Sequence, residues 1–297
     1  MDLYFMSPPH PTWSLRGKAN FRSRKAEAVD PLRARREWLT VAEGIEALGG
    51  VVAVLPPNAE LSGLPYAAEA GQPLPPLAPG RRPRFLLSRM KPEHRRAEAA
   101  EWRPFFEQLG FEVIELESGI WEGQGDVARF EGAHFLFWGG RTDLVGMHAA
   151  KRHFAGEVVE LNIWEPAFHG NMAALPLGSA AVLVCADVLN EDSLALLEAR
   201  VGRDRMHFVS EEEICCYATN GLPVGDTVLA PSILPQRVRG IIEREGFKVA
   251  ELALPELCEK AGGASRCLVC VSYDADPMLQ IPAEYSLARF ADEIRRE

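Results

Sequence analysis

The stretch 48–54, LGGVVAV, places two glycines between a helical pattern and an apolar, β-branched run. Glycine commonly closes a helix, and an apolar run bounded in this way is typical of a buried strand. The same order of helix, glycine and strand returns at 109–114 (LGFEVI) and at 245–250 (EGFKVA). Weaker copies begin at 155 (AGEVV) and 201 (VG). The chain therefore repeats one local pattern.

The repeat has a nearly constant period. The marker glycines are separated by 60, 46, 46 and 44 residues, and they are Gly50, Gly110, Gly156, Gly202 and Gly246. A period in the forties is long enough for two strands, a helix and a third strand, so the sequence predicts an α/β fold of five ββαβ modules. If the modules close on themselves, the inner strands line a central opening and the helices lie outside. An open stack of modules is the alternative.

Local signals predict where the helices lie and why the first interval is long. Proline is dense in 71–84 (GQPLPPLAPGRRPR), which predicts a surface loop without regular structure. Pro104 predicts a kink or a break in its helix. The predicted helices are roughly 31–48, 94–109, 142–154, 190–201, 231–245 and 282–296.

Composition narrows the class of protein. The 297 residues are 47% hydrophobic and 25% charged, which is typical of a globular domain with a substantial core. A formal net charge of −10 disfavours nucleic acid and anionic membrane surfaces as partners. No apolar run is long enough to span a bilayer, and the first residues do not form a signal peptide. We expect a cytoplasmic protein with reduced cysteines, a small-molecule partner and no membrane partner; a homo-oligomer is compatible with the sequence.

Four segments introduce polar groups where strand patterns predict apolar ones. They are 121–126 (WEGQGD), 139–142 (GGRT), 168–172 (FHGNM) and 262–271 (GGASRCLVCV). In the last, Cys267 follows a glycine break at the mouth of a predicted strand, where a thiol is a candidate nucleophile. Cys267 and Cys270 form a C-x-x-C, but residues three apart on a strand point to opposite faces. That spacing disfavours a metal or redox pair, and we predict no metal site.

In this chain order the segments resemble the pentein superfamily, which includes arginine deiminases, dimethylarginine dimethylaminohydrolases, amidinotransferases and arginine dihydrolases. Further matches lie at 6–9 (MSPP), at Asn20 and at 66–71 (YAAEAG), so the resemblance covers nearly the whole chain. It implies a five-fold pseudosymmetric α/β propeller, in agreement with the repeat count. It also implies one catalytic domain over 1–297 that works without a cofactor.

The resemblance implies a cysteine hydrolase of guanidino compounds. Cys267 would attack the guanidinium carbon and form a covalent thiouronium intermediate. His169 would protonate the leaving amine and later activate water. Glu122 or Asp126 would be the catalytic acid that anchors the cationic head, because carboxylates can hold a planar guanidinium through two hydrogen bonds. The residues expected to bind substrate are Asn20, Glu69, Arg141 and Asn171, with Arg141 pairing with the substrate's carboxylate.

Three departures from the family pattern shape the prediction of substrate. Glu122 and Asp126 are separated by three residues instead of the usual two, so either could be the catalytic acid; if extended, they would share one strand face. Glu69 stands where many relatives have asparagine, and Asn171 stands where deiminases carry an acid. These differences disfavour a plain arginine deiminase and favour a hydrolase of another guanidino compound. An amidinotransferase and a non-catalytic binding module are the alternatives.

Overall fold

The computed structural model describes residues 1–16, 20–273, 275 and 279–297. In these residues fifteen strands form five sheets of three strands each. The strands are β1 (Leu3–Met6), β2 (Val51–Val54), β3 (Gly71–Leu74), β4 (Arg84–Leu87), β5 (Glu112–Ile114), β6 (Val127–Phe130), β7 (Ala133–Trp138), β8 (Val158–Asn162), β9 (Ala174–Leu177), β10 (Ala181–Val184), β11 (Met206–Phe208), β12 (Leu222–Val224), β13 (Thr227–Pro231), β14 (Lys248–Leu252) and β15 (Cys270–Ser272).

All five sheets have the same topology, which confirms the predicted ββαβ modules. In the sheet β6-β7-β8, β6 is antiparallel to β7, and β7 is parallel to β8 after a helical crossover. The other four sheets are β3-β4-β5, β9-β10-β11, β12-β13-β14 and β15-β1-β2. The first strand of each module, which we call the inner strand, pairs on one side only. The inner strands are β3, β6, β9, β12 and β15.

The helices lie close to the predicted positions. They are α1 (Pro31–Ala47), α2 (Glu98–Gln108), α3 (Leu144–Lys151), α4 (Glu191–Val201), the short α5 (Glu211–Ile214), α6 (Gln236–Arg244) and α7 (Leu287–Arg296). The helix α2 continues through Pro104, so the chain does not break there. The helix α6 begins five residues later than predicted because Pro231 still belongs to β13 and Pro235 is the residue that precedes the helix. No helix in the described ranges has the length and apolarity that crossing a bilayer requires.

The prediction of a loop over 71–84 is wrong at both ends. Its first four residues form β3, and Arg84 begins β4, so only 75–83 connect the two strands. Pro73 lies within β3, opposite Phe85. Proline lacks an N–H, but an inner strand has a neighbour on one side only and therefore tolerates it. Local proline density could not indicate that this strand lies at the edge of a sheet.

The two ends of the chain form one module together. The strand β15 is antiparallel to β1, and β1 is parallel to β2. The helix α7 packs against α1, which lies between β1 and β2 in the chain. The fifth sheet therefore joins the last inner strand to the first two strands, which closes the ring of modules.

Candidate functional site

The candidate site is built from the segments that lie just before the inner strands. Because the five inner strands surround one axis, the segments that enter them converge. Each module contributes at least one buried polar or thiol side chain, none more than 5% exposed: Glu69 before β3, Glu122 and Asp126 before β6, His169 and Asn171 before β9, Asn220 before β12, and Cys267 before β15. The structure thus brings together residues that are far apart in the sequence.

Glu122 and His169 form a fully buried hydrogen-bonded pair. The Nε2 atom of His169 lies 2.7 Å from Oε2 of Glu122. The other carboxylate oxygen accepts a hydrogen bond from the backbone N–H of Lys91 at 2.9 Å. Burial alone would raise the pKa of Glu122, but the His169 hydrogen bond and the Arg141 charge hold it below its usual value. Glu122 is therefore a carboxylate that orients the imidazole.

The second ring nitrogen of His169 faces another carboxylate. Its Nδ1 atom lies 3.3 Å from Oε1 of Glu69. Glu69 forms a close ion pair with the buried guanidinium of Arg95. Arg95 in turn donates two hydrogen bonds of 2.7 Å to Glu98. Burial would lower the pKa of Arg95, but Glu98 raises it above its ordinary value, so the guanidinium stays charged. A continuous chain of contacts thus runs from Glu98 to Glu122.

Asp126 accepts hydrogen bonds from groups near His169 but not from the histidine ring. Its two carboxylate oxygens accept hydrogen bonds from the Thr142 hydroxyl at 2.6 Å and from the Gly170 N–H at 2.8 Å. Burial raises the pKa of Asp126 to about 6. Residues Gly123–Asp126 form a 3-10 turn, so Glu122 and Asp126 do not share the face of an extended strand. Of the two predicted acids, Glu122 is the one that contacts His169.

Cys267 lies in a turn ahead of β15, with its sulfur held between two amides. The thiol donates to Oδ1 of Asn220 at 3.3 Å, and Nδ2 of Asn171 donates to the sulfur at 3.5 Å. Burial raises the pKa of the thiol, which Arg266 and Asn171 partly oppose. Cys267 is therefore a protonated thiol at neutral pH until a further positive charge approaches it. Cys270, by contrast, is a core residue of β15, and all six cysteines are free.

Arg141 faces the carboxylates of the site. Its Nη1 atom lies 3.5 Å from Oε2 of Glu122 and 3.9 Å from Oε2 of Glu69. The guanidinium also lies over the ring of Phe168, 4.9 Å from the centroid. Cys267, Glu69, Arg141 and Phe168 all line one cavity, which we call the front cavity. To pair with a substrate carboxylate, as predicted, Arg141 has to leave Glu122 and Glu69 and contact the substrate instead.

Asn20 also lines the front cavity, but the protein already engages its amide. Its Nδ2 donates to the carbonyl of Ala261 at 3.0 Å, and its Oδ1 accepts from the N–H groups of Arg22 and Ser23 at 3.0 and 2.8 Å. In this structure Asn20 braces the loop that leads to Cys267.

The sequence prediction missed three residues of this network: Asn220, Arg95 and Glu98. A signal existed for Asn220, because it lies in ATNG at 218–221, directly before the inner strand of the one module without a predicted site residue. Arg95 and Glu98 carry no such signal, since the pairing of Arg95 with Glu69, through which Glu98 joins the network, depends on tertiary contact.

Three residues of the site have the donor atoms of a metal site. Ligand atoms of Glu69, Glu122 and His169 all lie within 4.8 Å of one another. Two guanidinium groups, those of Arg95 and Arg141, already lie against these carboxylates. The carboxylates are already paired with cations of the protein, so this set of donor atoms does not fit a metal ion.

Comparison with known proteins relates the fold and the sequence to one group of proteins. No family model matches the chain. A bifunctional arginine dihydrolase/ornithine cyclodeaminase of Synechocystis, ArgZ, is 29% identical over 188 residues, which are 62% of this chain and 26% of the relative. The chain thus spans about a quarter of that relative's length.

Solved structures of low sequence identity share the fold. The substrate-bound N-terminal domain of ArgZ, described as a cyanobacterial arginine dihydrolase, superposes with a TM-score of 0.83 at 23% identity, covering 91% of this chain and 98% of that one. A dimethylarginine dimethylaminohydrolase superposes with a TM-score of 0.69 at 18% identity, covering 91% and 99%. The chain therefore shares the fold of these structures, with five sheets of one topology as the ordered motifs predict, and it is similar to ArgZ in sequence.

Proposed function

We propose that the protein hydrolyses a C–N bond of a guanidino compound, arginine or a substituted arginine, with Cys267 as the nucleophile. The observation that carries the proposal is the convergence of a thiol with a carboxylate–imidazole pair at one cavity. Cys267 and Glu69 line that cavity, and Glu69 contacts the His169–Glu122 pair. The sequence relative named as an arginine dihydrolase supports the same substrate class.

The first half of the reaction forms a covalent intermediate. The guanidinium head of the substrate enters a site that contains the carboxylates of Glu69 and Glu122, and its positive charge favours the Cys267 thiolate. The thiol proton passes to solvent, and the sulfur attacks the guanidinium carbon. His169, oriented by Glu122, gives a proton to the departing nitrogen. The C–N bond breaks, a neutral amine leaves, and a thiouronium remains on Cys267.

The second half restores the enzyme. His169, now deprotonated, takes a proton from a water molecule that attacks the same carbon. The C–S bond breaks, and a ureido product leaves with Cys267 free again. Glu69 and Asn171 act beside the reacting carbon, while Arg141 and Asn20 bind the remainder of the substrate. The proposal treats 1–297 as one catalytic domain and includes no cofactor.

The experiment is a turnover assay with a matched cysteine control. Arginine, methylated arginines, agmatine and citrulline are screened for release of ammonia or alkylamine. Substitution of Cys267→Ser should abolish turnover and trapping of the covalent intermediate. The control is Cys185→Ser, because Cys185 is equally buried but follows β10, away from the site. Full activity of the Cys267→Ser variant would refute the proposal.

The same assay separates the alternatives. A new guanidino product in place of free amine would indicate an amidinotransferase. For the binding-module alternative, the decisive measurement is labelling by a thiol-reactive amidine compound. A catalytic site predicts that Cys267 reacts much faster than the buried thiols of Cys185 and Cys258. Equal rates at the three thiols would favour a binding module.

A further inference from the structure

A second cavity opens at the other ends of the inner strands. The front cavity is lined by residues that precede these strands, whereas the second cavity is lined mainly by residues within and after them, with Asn171 and Arg266 at its inner end. Every inner strand contributes, through Leu74, Val127, Ala174, Pro223 and Ser272. The front and second cavities share no lining residue in the described part of the chain. The second cavity therefore lies on the ring axis, on the side opposite the front cavity.

One layer of side chains separates the second cavity from the sulfur of Cys267. Asn171 lines the second cavity, and its Nδ2 atom lies 3.5 Å from the Cys267 sulfur. Arg266, the neighbour of Cys267 in the chain, lines the cavity as well. Its guanidinium donates to Oε1 of Gln124 at 3.3 Å and to the carbonyl of Val269 at 2.9 Å. The inner end of the cavity is thus formed by groups that touch or adjoin the nucleophile.

Buried polar atoms along the second cavity lack partners. Within the residues that the structure describes, no protein group forms a hydrogen bond with Oε1 of Gln72, Nδ1 of His134 or Oδ1 of Asn171. All three residues line the cavity. Buried polar atoms without protein partners are normally bonded to water, since leaving them unpaired costs about 1–3 kcal/mol each. A mixed set of acceptors and a ring nitrogen suits water better than an ion.

The charge at the inner end disfavours cations. Arg266 is 8% exposed, and in the described residues it has no carboxylate within ion-pair distance. A buried positive charge repels other cations, because the local dielectric constant is low. A cation at the inner end would lie beside Arg266, whereas neutral water is not repelled there.

We propose that the second cavity is a water channel that delivers the hydrolytic water to the thiouronium on Cys267. This inference rests on the proposed function. After the first half-reaction, the amino-acid portion of the substrate still occupies the front cavity and covers the adduct on that side. Water that reaches Asn171 through the channel lies next to the sulfur without passing the substrate. Arg266 disfavours cations at the inner end of the channel.

The test narrows the channel without altering a catalytic residue. Tryptophan is introduced at two inner strands by Ser272→Trp and Pro176→Trp, singly and together, because both side chains line the channel and both are partly exposed. The control is Ser232→Trp, since Ser232 is an exposed turn residue that lies outside both cavities. Circular dichroism and thermal unfolding establish which variants are folded; the two single variants give two independent chances of a folded protein.

We expect the narrowed variants to slow the second half-reaction and to leave the first unchanged. In the narrowed variants, labelling of Cys267 by an amidine reagent and formation of the covalent adduct should match wild type. Breakdown of the adduct should slow by roughly tenfold or more, so that it accumulates in acid-quenched mass spectra. If the adduct breaks down at the wild-type rate in the folded double variant, the proposal of a water channel is wrong and the proposed function still stands. A wild-type protein that never forms the adduct would instead overturn the proposed function.

Discussion

Asn171 and Asn220 hold the sulfur of Cys267 from two sides and favour opposite charge states. The amide N–H of Asn171 donates to the sulfur and stabilises a thiolate. The carbonyl oxygen of Asn220 accepts the thiol proton and stabilises the neutral form. Because burial already raises the pKa of Cys267, the resting site keeps the thiol protonated. Under the proposed function, the thiol becomes reactive chiefly when a cation lies against it, which limits side reactions.

Removal of the Asn171 donor should therefore make the thiol less acidic. In Asn171→Leu, the thiolate loses a hydrogen bond and gains an apolar neighbour, and both changes raise the pKa of Cys267. We expect iodoacetamide to label Cys267 about fivefold more slowly at pH 8, as the loss of about 1 kcal/mol implies. The matched control is Asn58→Leu, whose amide bonds Glu101 outside the site. A labelling rate that rises, or that matches the control, would contradict this role.

Asp126 should give the protein a pH-dependent stability of its own. Its pKa is about 6 in the folded protein, against 3.8 for an unperturbed aspartate, because burial disfavours the charge. The folded state therefore binds more protons than the unfolded state between these values. The stabilisation is complete below about pH 4 and is lost as the pH rises through 6, a change of about 3 kcal/mol.

The comparison that isolates Asp126 is a series of urea titrations of wild type and Asp126→Asn at pH 4, 5, 6 and 7. The asparagine variant cannot ionise, so its free energy of unfolding should decline less over this range. The variant also loses one acceptor for Thr142 or Gly170, and this loss changes its free energy of unfolding by a similar amount at every pH. A constant difference between the two proteins from pH 4 to 7 would show that Asp126 does not titrate as described.

At the scale of elements, the sequence predicts well where helices end in a glycine. It predicts poorly the features that depend on tertiary contacts. Glycine marked all five modules, and after α2 and α6 it meets a local requirement for a positive φ, as Gly110 and Gly246 show with φ of 88° and 87°. The strand that contains Pro73 escaped prediction, since only pairing with β4 on one side makes proline tolerable there. The turn at Gly123 escaped for the same reason, because its φ of 61° is set by packing against β3.

The same limit applies to the site. His169 and Cys267 lie in the segments that lead into inner strands. Such residues could be predicted because glycine and polar residues interrupt an apolar pattern there. Arg95 could not, since it lies in an ordinary charged stretch at the start of a helix. Only the fold brings its guanidinium to Glu69. Roles that depend on which of two acids touches a ring, as for Glu122 and Asp126, likewise need the tertiary structure.

The turn after His169 should not tolerate a side chain at Gly170. A Cβ atom there would overlap the ring of Phe137, so the turn would have to move and the Gly170 N–H would leave Asp126. We expect Gly170→Ala to lower turnover by tenfold or more and to destabilise the fold by about 1–3 kcal/mol. The control is Gly44→Ala in α1, where a Cβ meets Leu229 at an ordinary 3.6 Å. That control should be neutral or more stable by up to about 1 kcal/mol, because alanine favours a helix.

At the scale of the molecule, the geometry of the site depends on closure of the ring. Each module delivers its polar side chain through one inner strand, and the last inner strand, β15, is held by β1 from the other end of the chain. Cys267 lies shortly before β15, so any loosening of the fifth module moves its thiol relative to His169 on the third module. The proposed catalysis therefore depends on contacts between the chain ends as well as on contacts in the site.

Arg35 makes the contact between the chain ends that is easiest to test. Its buried guanidinium bonds the carbonyl of Pro9 at 2.7 Å, Glu297 at 2.6 Å and Glu293 at 2.8 Å, which links the first and last segments. We expect Arg35→Met to lower the free energy of unfolding by about 2 kcal/mol, since charge-assisted hydrogen bonds to a buried group are lost. Arg36→Met is the control, because Arg36 is the exposed neighbour on the same helix. Turnover should fall with stability in the first variant, and urea unfolding should remain a single transition if closure is cooperative. An early separate transition in both wild type and variant would show instead that α7 and the fifth module come apart independently of the ring.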